Sequence, residues 1–179
     1  MITIFWDLDN VLCDYDIYWG SDKTFDRNRF KSEVIDNKMF EKLLPLSAGI
    51  DLLWGVYDYL QVNKIEYNFQ ILSSLGAPND NELAEEVSRQ KELWINYHLR
   101  DYVGSYVLNL NFVEQKSKKK RFATPTSILI DDTQKNVLDF VKCHGQGILF
   151  NANTEYYTIL KEVCDTIDLV YDKIERKIY

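Results

Sequence analysis

The apolar positions of this chain fall into two alternating rhythms. Residues 2–6 form a short continuous run, Ile2-Thr3-Ile4-Phe5-Trp6, that breaks into Asp7-Leu8-Asp9-Asn10-Val11-Leu12. Brief apolar runs rich in β-branched and aromatic residues read as strands buried on both faces. The same form returns at 67–72, at 107–113, at 127–130 and at 148–150, the last led in by Gly145-Gln146-Gly147. Between these runs the spacing changes to that of amphipathic helices. One spans about 48–63, with Ile50, Leu53, Trp54, Tyr57 and Leu60 on one face. A second runs from 81 to about 99. The last starts near 153, with Tyr157, Leu160, Cys164, Ile167, Tyr171 and Ile174 in register and Asn153-Thr154 placed to cap it. Residues 116–123 read as a basic turn or short helix. Strand, loop and helix in repetition define a parallel sheet. The expected fold is α/β, a three-layer Rossmann-like arrangement around a five-stranded parallel sheet. Residues 13–45 are polar and aromatic without a strong strand signal and end at Pro45. They are read as a small helical cap inserted after strand 1, within a single domain 1–179 whose core is 1–12 and 46–179.

With 46% hydrophobic and 27% charged residues, the 179-residue chain can bury a substantial core. Its net charge of −7 argues against binding duplex nucleic acid, which needs basic faces for the phosphates, but leaves room for a small phosphorylated ligand at a local site. No apolar run is long enough to cross a bilayer, and the amino terminus reads as a strand rather than a signal segment, so no membrane partner and a cytoplasmic location are expected. Cys13, Cys143 and Cys164 are too few and too scattered for a disulfide framework or a zinc site. Cys13 follows the acidic loop, but no histidine stands near it in sequence to activate a thiol. His98 and His144 fall near helix ends, where they suit the dipole.

The candidate chemistry lies at the strand ends. Asp7 and Asp9 close the first strand, and Asp131-Asp132 closes the strand Ser127-Ile128-Leu129-Ile130. A further Asp-x-Asp at Asp14 and Asp16 follows no strand, so the motif gains meaning only from its position. Carboxylates converging on one sheet edge repel unless a divalent cation sits among them, and an all-oxygen site suits magnesium. Two more polar groups end the intervening segments: Ser73-Ser74 after the second strand, and Lys118-Lys119-Lys120 before the fourth.

In this order the four elements resemble the motifs of the haloacid dehalogenase-like phosphatases over residues 2 to about 150. The loop Asp7-Leu8-Asp9-Asn10-Val11-Leu12, the stretch Leu44-Pro45-Leu46-Ser47-Ala48-Gly49, Lys91-Glu92-Leu93-Trp94-Ile95 and Ile128-Leu129-Ile130-Asp131-Asp132 are similar to 5'-nucleotidases acting on deoxyribonucleotides. The resemblance implies a phosphomonoesterase in which Asp7 is the nucleophile and Asp9 the general acid and base, with a raised pKa. It further implies magnesium held by Asp7, the Asp9 carbonyl and Asp131, with Asp132 in support. Phosphate would be bound by Ser73 or Ser74, at the head of a helix, and by one lysine, Lys119 or else Lys118. Asn10 departs from the glycine or threonine common after the second aspartate.

The implied substrate is a nucleoside monophosphate. A sugar phosphate, a nucleic-acid 3' end and ligand binding without turnover are the alternatives. Signalling receiver domains gather similar groups, but with the acidic pair at the first strand and the lysine late. The aromatics Tyr15, Tyr18, Trp19, Phe25 and Phe30 either stack on a base or pack the cap.

Overall fold

The computed structural model describes residues 1–19, 26–77, 79–99 and 109–176. Five parallel strands form one sheet: β1 (Ile2–Trp6), β2 (Tyr67–Ser74), β3 (Asn109–Val113), β4 (Ser127–Asp131) and β5 (Gln146–Leu149), in the order β3-β2-β1-β4-β5. The register sets Thr3 against Ser127 and Ile2 against Tyr67, and it brings the carboxyl ends of the strands to one edge. The chain winds outward from β1 through β2 to β3, then returns to β4 on the other side of β1. The reversal leaves a crevice between the ends of β1 and β4, where open α/β sheets place their ligands. Residues 107 and 108 of the expected third strand lie outside the described residues.

Alternation along β1 divides the core. Ile2, Ile4 and Trp6 join Phe69, Ile71, Ile128 and Ile130 in the larger apolar cluster, together with residues of three long helices: α4 (Ser47–Val62), α5 (Asn81–His98) and α7 (Tyr156–Glu175). Phe5, Leu72 and Leu129 point to the other face, against Phe140 of α6 (Gln134–Lys142) and Phe122 of a 3₁₀ helix (Lys116–Phe122). The layers are therefore helix, sheet and helix, as expected.

Two helical faces differ from the sequence reading. In α4 the buried residues are Gly49, Leu52, Leu53, Val56 and Leu60, and in α7 they are Ile159, Val163, Ile167 and Val170. The expected stripes run along one flank of each: Tyr57, Leu160, Tyr171 and Ile174 pack from the side, while Tyr157 is exposed. The cap of α7 is Glu155, whose carboxylate accepts from the Thr158 N–H at 2.9 Å, rather than Asn153 or Thr154. Gly49 is required where it stands, because a Cβ there would lie 1.6 Å from the Val11 carbonyl oxygen. The first turn of α4 thereby packs directly on the loop that follows β1.

Between β1 and α4 the chain forms α1 (Tyr15–Trp19), α2 (Arg27–Ile35) and α3 (Met39–Lys42). The two ends of this excursion are clipped together, Asp14 N–H to Leu44 O and Leu46 N–H to Leu12 O, each at 2.9 Å. The helices rest on α5. Gln90 receives the Phe40 N–H at 3.1 Å and donates to Val34 O at 2.7 Å, and the Trp94 indole donates to Leu43 O at 2.7 Å. Surface pairs Lys38–Glu86 and Arg89–Glu41 add to these contacts.

Candidate active site

β1 and β4 end side by side, so Asp7 and Asp131 face each other across the crevice. Both are buried, and Lys119 of the 3₁₀ helix lies between them, its ammonium 2.6 Å from Asp7 Oδ2 and 2.7 Å from Asp131 Oδ2. Removing such charges from water costs several kcal/mol per ion, so they persist only where every group is held. Here they are. Asp7 Oδ1 accepts from the Leu8 N–H at 2.8 Å, and Asp131 accepts from the Thr133 N–H at 2.8 Å and from the Asn136 amide at 3.0 and 3.1 Å. Burial, then the charge of Asp7, pushes the Asp131 carboxyl up to about 6. The same two causes raise Asp132. Burial alone would lower the Lys119 ammonium, but Asp7 and Asp131 together raise it.

Oxygens of Asp7, Asp131 and Asp132 lie within 4.8 Å of one another, a hard donor set that fits magnesium. The charge balance points the same way. Around the crevice Asp7, Asp131 and Asp132 bring three carboxylates, and the buried Lys119 ammonium answers one of them. One divalent cation neutralises the remainder.

The other half of the site is built around Lys91, which sequence reasoning did not place there. Its ammonium, wholly buried in α5, donates to Asp9 Oδ2 at 2.7 Å, Ser73 Oγ at 3.0 Å and Ser74 O at 2.8 Å. Ser73 and Ser74 are the last residues of β2 rather than the head of a helix; α5 begins at Asn81 and its first turn is capped by Asp80, which accepts from Leu83 N–H at 3.2 Å. Ser74 Oγ accepts from the N–H of Gly76, whose φ of 66° turns the chain away from the sheet.

Asn10 explains its own departure from glycine or threonine. Its φ of 59° lies in the left-handed region that asparagine tolerates. Its amide donates to Asp132 Oδ2 at 3.2 Å and Asp16 Oδ1 at 3.1 Å, and its oxygen accepts from the Asp16 N–H at 2.9 Å. The loop is thus tied to β4 on one side and to α1 on the other. Asp14 caps α1 through the Ile17 N–H at 3.1 Å.

Above the carboxylates a cavity of about 370 Å³ opens between the sheet edge and the inserted helices, lined by Asp9, Asn10, Ser74, Gly76, Lys116 and Asp132 below and by Tyr15, Phe30 and Phe40 opposite. The aromatic rings also pack on one another: Tyr15 on Phe40 at 6.1 Å and Trp19 on Phe30 at 6.4 Å between centroids. Tyr18 donates to Glu33 at 2.7 Å. Phe25 lies outside the described residues. The Cys13 thiol is buried, and burial followed by the charge of Asp9 raises it well above its ordinary range, which removes the thiolate a nucleophile would need.

Of the residues expected at the site, Asp7, Asp9, Ser73, Ser74, Lys119, Asp131 and Asp132 come together. Lys118 does not: it is partly exposed, and among the described residues no hydrogen bond or ion pair joins its side chain to the site. Lys91, quoted only within a stretch of the resemblance, was given no role, and Asn136 was missed. Lys91 had a signal, since with Leu83, Val87, Trp94 and Ile95 it falls on the buried stripe of α5, where a charge needs a partner.

No family model and no curated protein matches the sequence. Among solved structures the chain is similar to D,D-heptose 1,7-bisphosphate phosphatase from Burkholderia thailandensis, with 7% identity over 81% of this chain and 75% of that one and a TM-score of 0.42. It is also similar to a HAD-family enzyme from Bacteroides thetaiotaomicron, an aspartate-to-alanine variant in complex with magnesium and inorganic phosphate, with 12% identity over 89% of this chain and 98% of that one and a TM-score of 0.42. Both likenesses are faint, and the functional reading rests on the geometry of the chain's own residues.

Proposed function

We propose that the protein is a magnesium-dependent phosphomonoester hydrolase of the haloacid dehalogenase-like type, acting through a phosphoryl group carried on Asp7. The observation that supports this best is the juxtaposition of Asp7, Asp131 and Asp132 within 4.8 Å, with the Lys119 ammonium 2.6 Å from Asp7. An oxygen of Asp7 attacks phosphorus while the ester P–O bond breaks. Asp9 gives its proton to the departing alkoxide. Water then attacks the phosphoryl group, Asp9 takes a proton from it, and the bond to Asp7 breaks, so the carboxylate is regenerated. An ammonium has three N–H donors. Among the described residues Lys119 spends two on Asp7 and Asp131, and the third would serve a phosphoryl oxygen, where charge accumulates. Magnesium would be held by Asp7, Asp131, the Asp9 carbonyl and, in support, Asp132. When bound, it neutralises the phosphate and fixes its orientation.

For the substrate we favour a nucleoside monophosphate. The leaving group would enter the cavity faced by Tyr15, Phe30 and Phe40, with the helices α1–α3 acting as a cap. Aromatic rings beside a phosphate site suit the face of a base. The polar wall of Asn10 and Asp132 would suit the hydroxyls of a sugar phosphate, the alternative reading. The net charge of −7 speaks against a nucleic-acid end. Cysteines without a disulfide among the described residues agree with a cytoplasmic setting. No described helix is long and apolar enough to cross a membrane.

The test is phosphate release from a panel of deoxynucleoside monophosphates, sugar phosphates and aryl phosphates, with magnesium and with EDTA. Release with magnesium and none with EDTA is expected, with nucleotides turned over fastest. Release that EDTA leaves unchanged would overturn the metal-dependent reading, and preference for sugar phosphates would overturn the substrate.

A further inference from the structure

The two buried lysines differ in what their ammonium groups have left to give. Among the described residues Lys119 pairs with two groups, Asp7 and Asp131, whereas Lys91 has all three N–H donors committed, to Asp9 Oδ2 at 2.7 Å, Ser73 Oγ at 3.0 Å and Ser74 O at 2.8 Å. The ring of Phe40 closes over it, 4.6 Å from Nζ to the centroid, and the Phe40 backbone is pinned to Gln90, the neighbour of Lys91 on α5. We infer that Lys91 is a positioning residue that locks Asp9 and the Ser73 hydroxyl into one rigid unit without itself touching the substrate; this rests on the phosphomonoesterase reading above.

The physical consequences follow from which oxygens are taken. With Oδ2 of Asp9 held by Lys91, Oδ1 meets among the described residues only the weak donor Cys13 Sγ, at 3.9 Å, so it is the oxygen positioned to exchange a proton with the leaving group. Ser73 Oγ accepts from Lys91, which turns its own O–H away from the ammonium and, on the phosphomonoesterase reading, would leave it to donate to a phosphoryl oxygen. General acid–base help is worth roughly 10²–10⁴-fold, and a misplacement of about 1 Å can forfeit 10²-fold, so a loosened Asp9 costs most where the leaving group needs its proton.

The experiment compares the whole protein with its Lys91→Met and Lys91→Gln variants on magnesium-loaded enzyme, across aryl and alkyl phosphates of graded leaving-group pKa. The inference predicts about 10²-fold loss of kcat on alkyl phosphates and less than about tenfold loss on 4-nitrophenyl phosphate, a steeper dependence on leaving-group pKa than wild type. It also predicts a higher KM for both substrates from the released Ser73. Equal losses across the series would overturn it, as would a rise in KM with the leaving-group slope unchanged, which would make Lys91 a phosphate ligand. Failure of both variants to fold, read by circular dichroism, would assign Lys91 to the fold and also overturn it. A wild-type protein inactive on every ester would instead overturn the phosphomonoesterase reading itself.

Discussion

The site divides into two halves, each centred on one buried lysine, and the halves are built by different means. The half around Lys119 is made by the sheet: Asp7 and Asp131 end adjacent strands, and the 3₁₀ helix drops the ammonium between them. Its charges are unbalanced, and the surplus is what a divalent cation would answer. The half around Lys91 is made by a helix and the inserted segment: α5 reaches under Phe40 to tie Asp9 to the end of β2. Its donors are fully spent. The first half is thus arranged to hold something, and the second to hold itself.

The largest effect is expected in the first half. Asp7→Asn keeps the shape but removes the nucleophile, and kcat should fall by more than about 10³-fold, read as phosphate release with magnesium. Unchanged turnover would show that the carboxylates of β1 and β4 do not work as one group.

Lys119→Met should separate the halves by stability. It leaves Asp7 and Asp131 facing each other without a cation, a loss of about 3–5 kcal/mol for a broken buried pair, and magnesium should restore much of the lost thermal midpoint by supplying the missing charge. Lys91→Met should be stabilised by magnesium no more than wild type is, because Asp9's carboxylate is not among the oxygens within 4.8 Å. Equal rescue of both variants would break the distinction.

A smaller effect is expected at the aromatic wall of the cavity. Tyr15→Leu or Phe30→Leu should cost roughly tenfold in kcat/KM on a deoxynucleoside monophosphate, on the scale of about 1–3 kcal/mol per stacked base, while sparing a small alkyl phosphate. Equal losses on both substrates would mean that these rings only pack against each other.

The smallest effect is in pH dependence. Asp131 sits at about 6 in the folded protein through burial and Asp7, above its unfolded value, so the folded state binds the extra proton. That contribution to stability is present below the unfolded pKa and is lost as pH rises through about 6. Thermal melts in EDTA at pH 5 and pH 7.5 should therefore show a drop on going to the higher pH that is smaller in Asp131→Asn. An identical drop in both would place the source elsewhere.

The halves also differ in how far they could be read from sequence. Strand ends announce themselves, because a buried apolar run such as Ile128-Leu129-Ile130 leaves the following Asp131 little choice of position, and alternation with helices makes the sheet parallel, although the order β3-β2-β1-β4-β5 comes from the structure. Lys119 was separable from Lys118 only through the packing of the 3₁₀ helix, since three adjacent lysines share one local pattern. Lys91 enters the sequence reading only within the stretch Lys91-Glu92-Leu93-Trp94-Ile95 that carries the resemblance, without a role of its own, and its burial shows once the helical phase of Val87 and Trp94 is imposed. The bridging amide of Asn10 depends on a contact across 122 residues and on a left-handed φ, neither of which a local pattern encodes, whereas Asn136 stands only five residues beyond the carboxylate it holds.

The phosphoryl group on Asp7 can be looked for directly. Asp9→Asn, which slows the attack of water, would be mixed with 4-nitrophenyl phosphate and magnesium, quenched in acid within one turnover, and mapped by peptide mass spectrometry. One phosphoryl group on Asp7, absent when EDTA replaces magnesium, is the predicted result. Turnover without any phosphorylated peptide, or a phosphoryl group on a residue other than Asp7, would contradict the account.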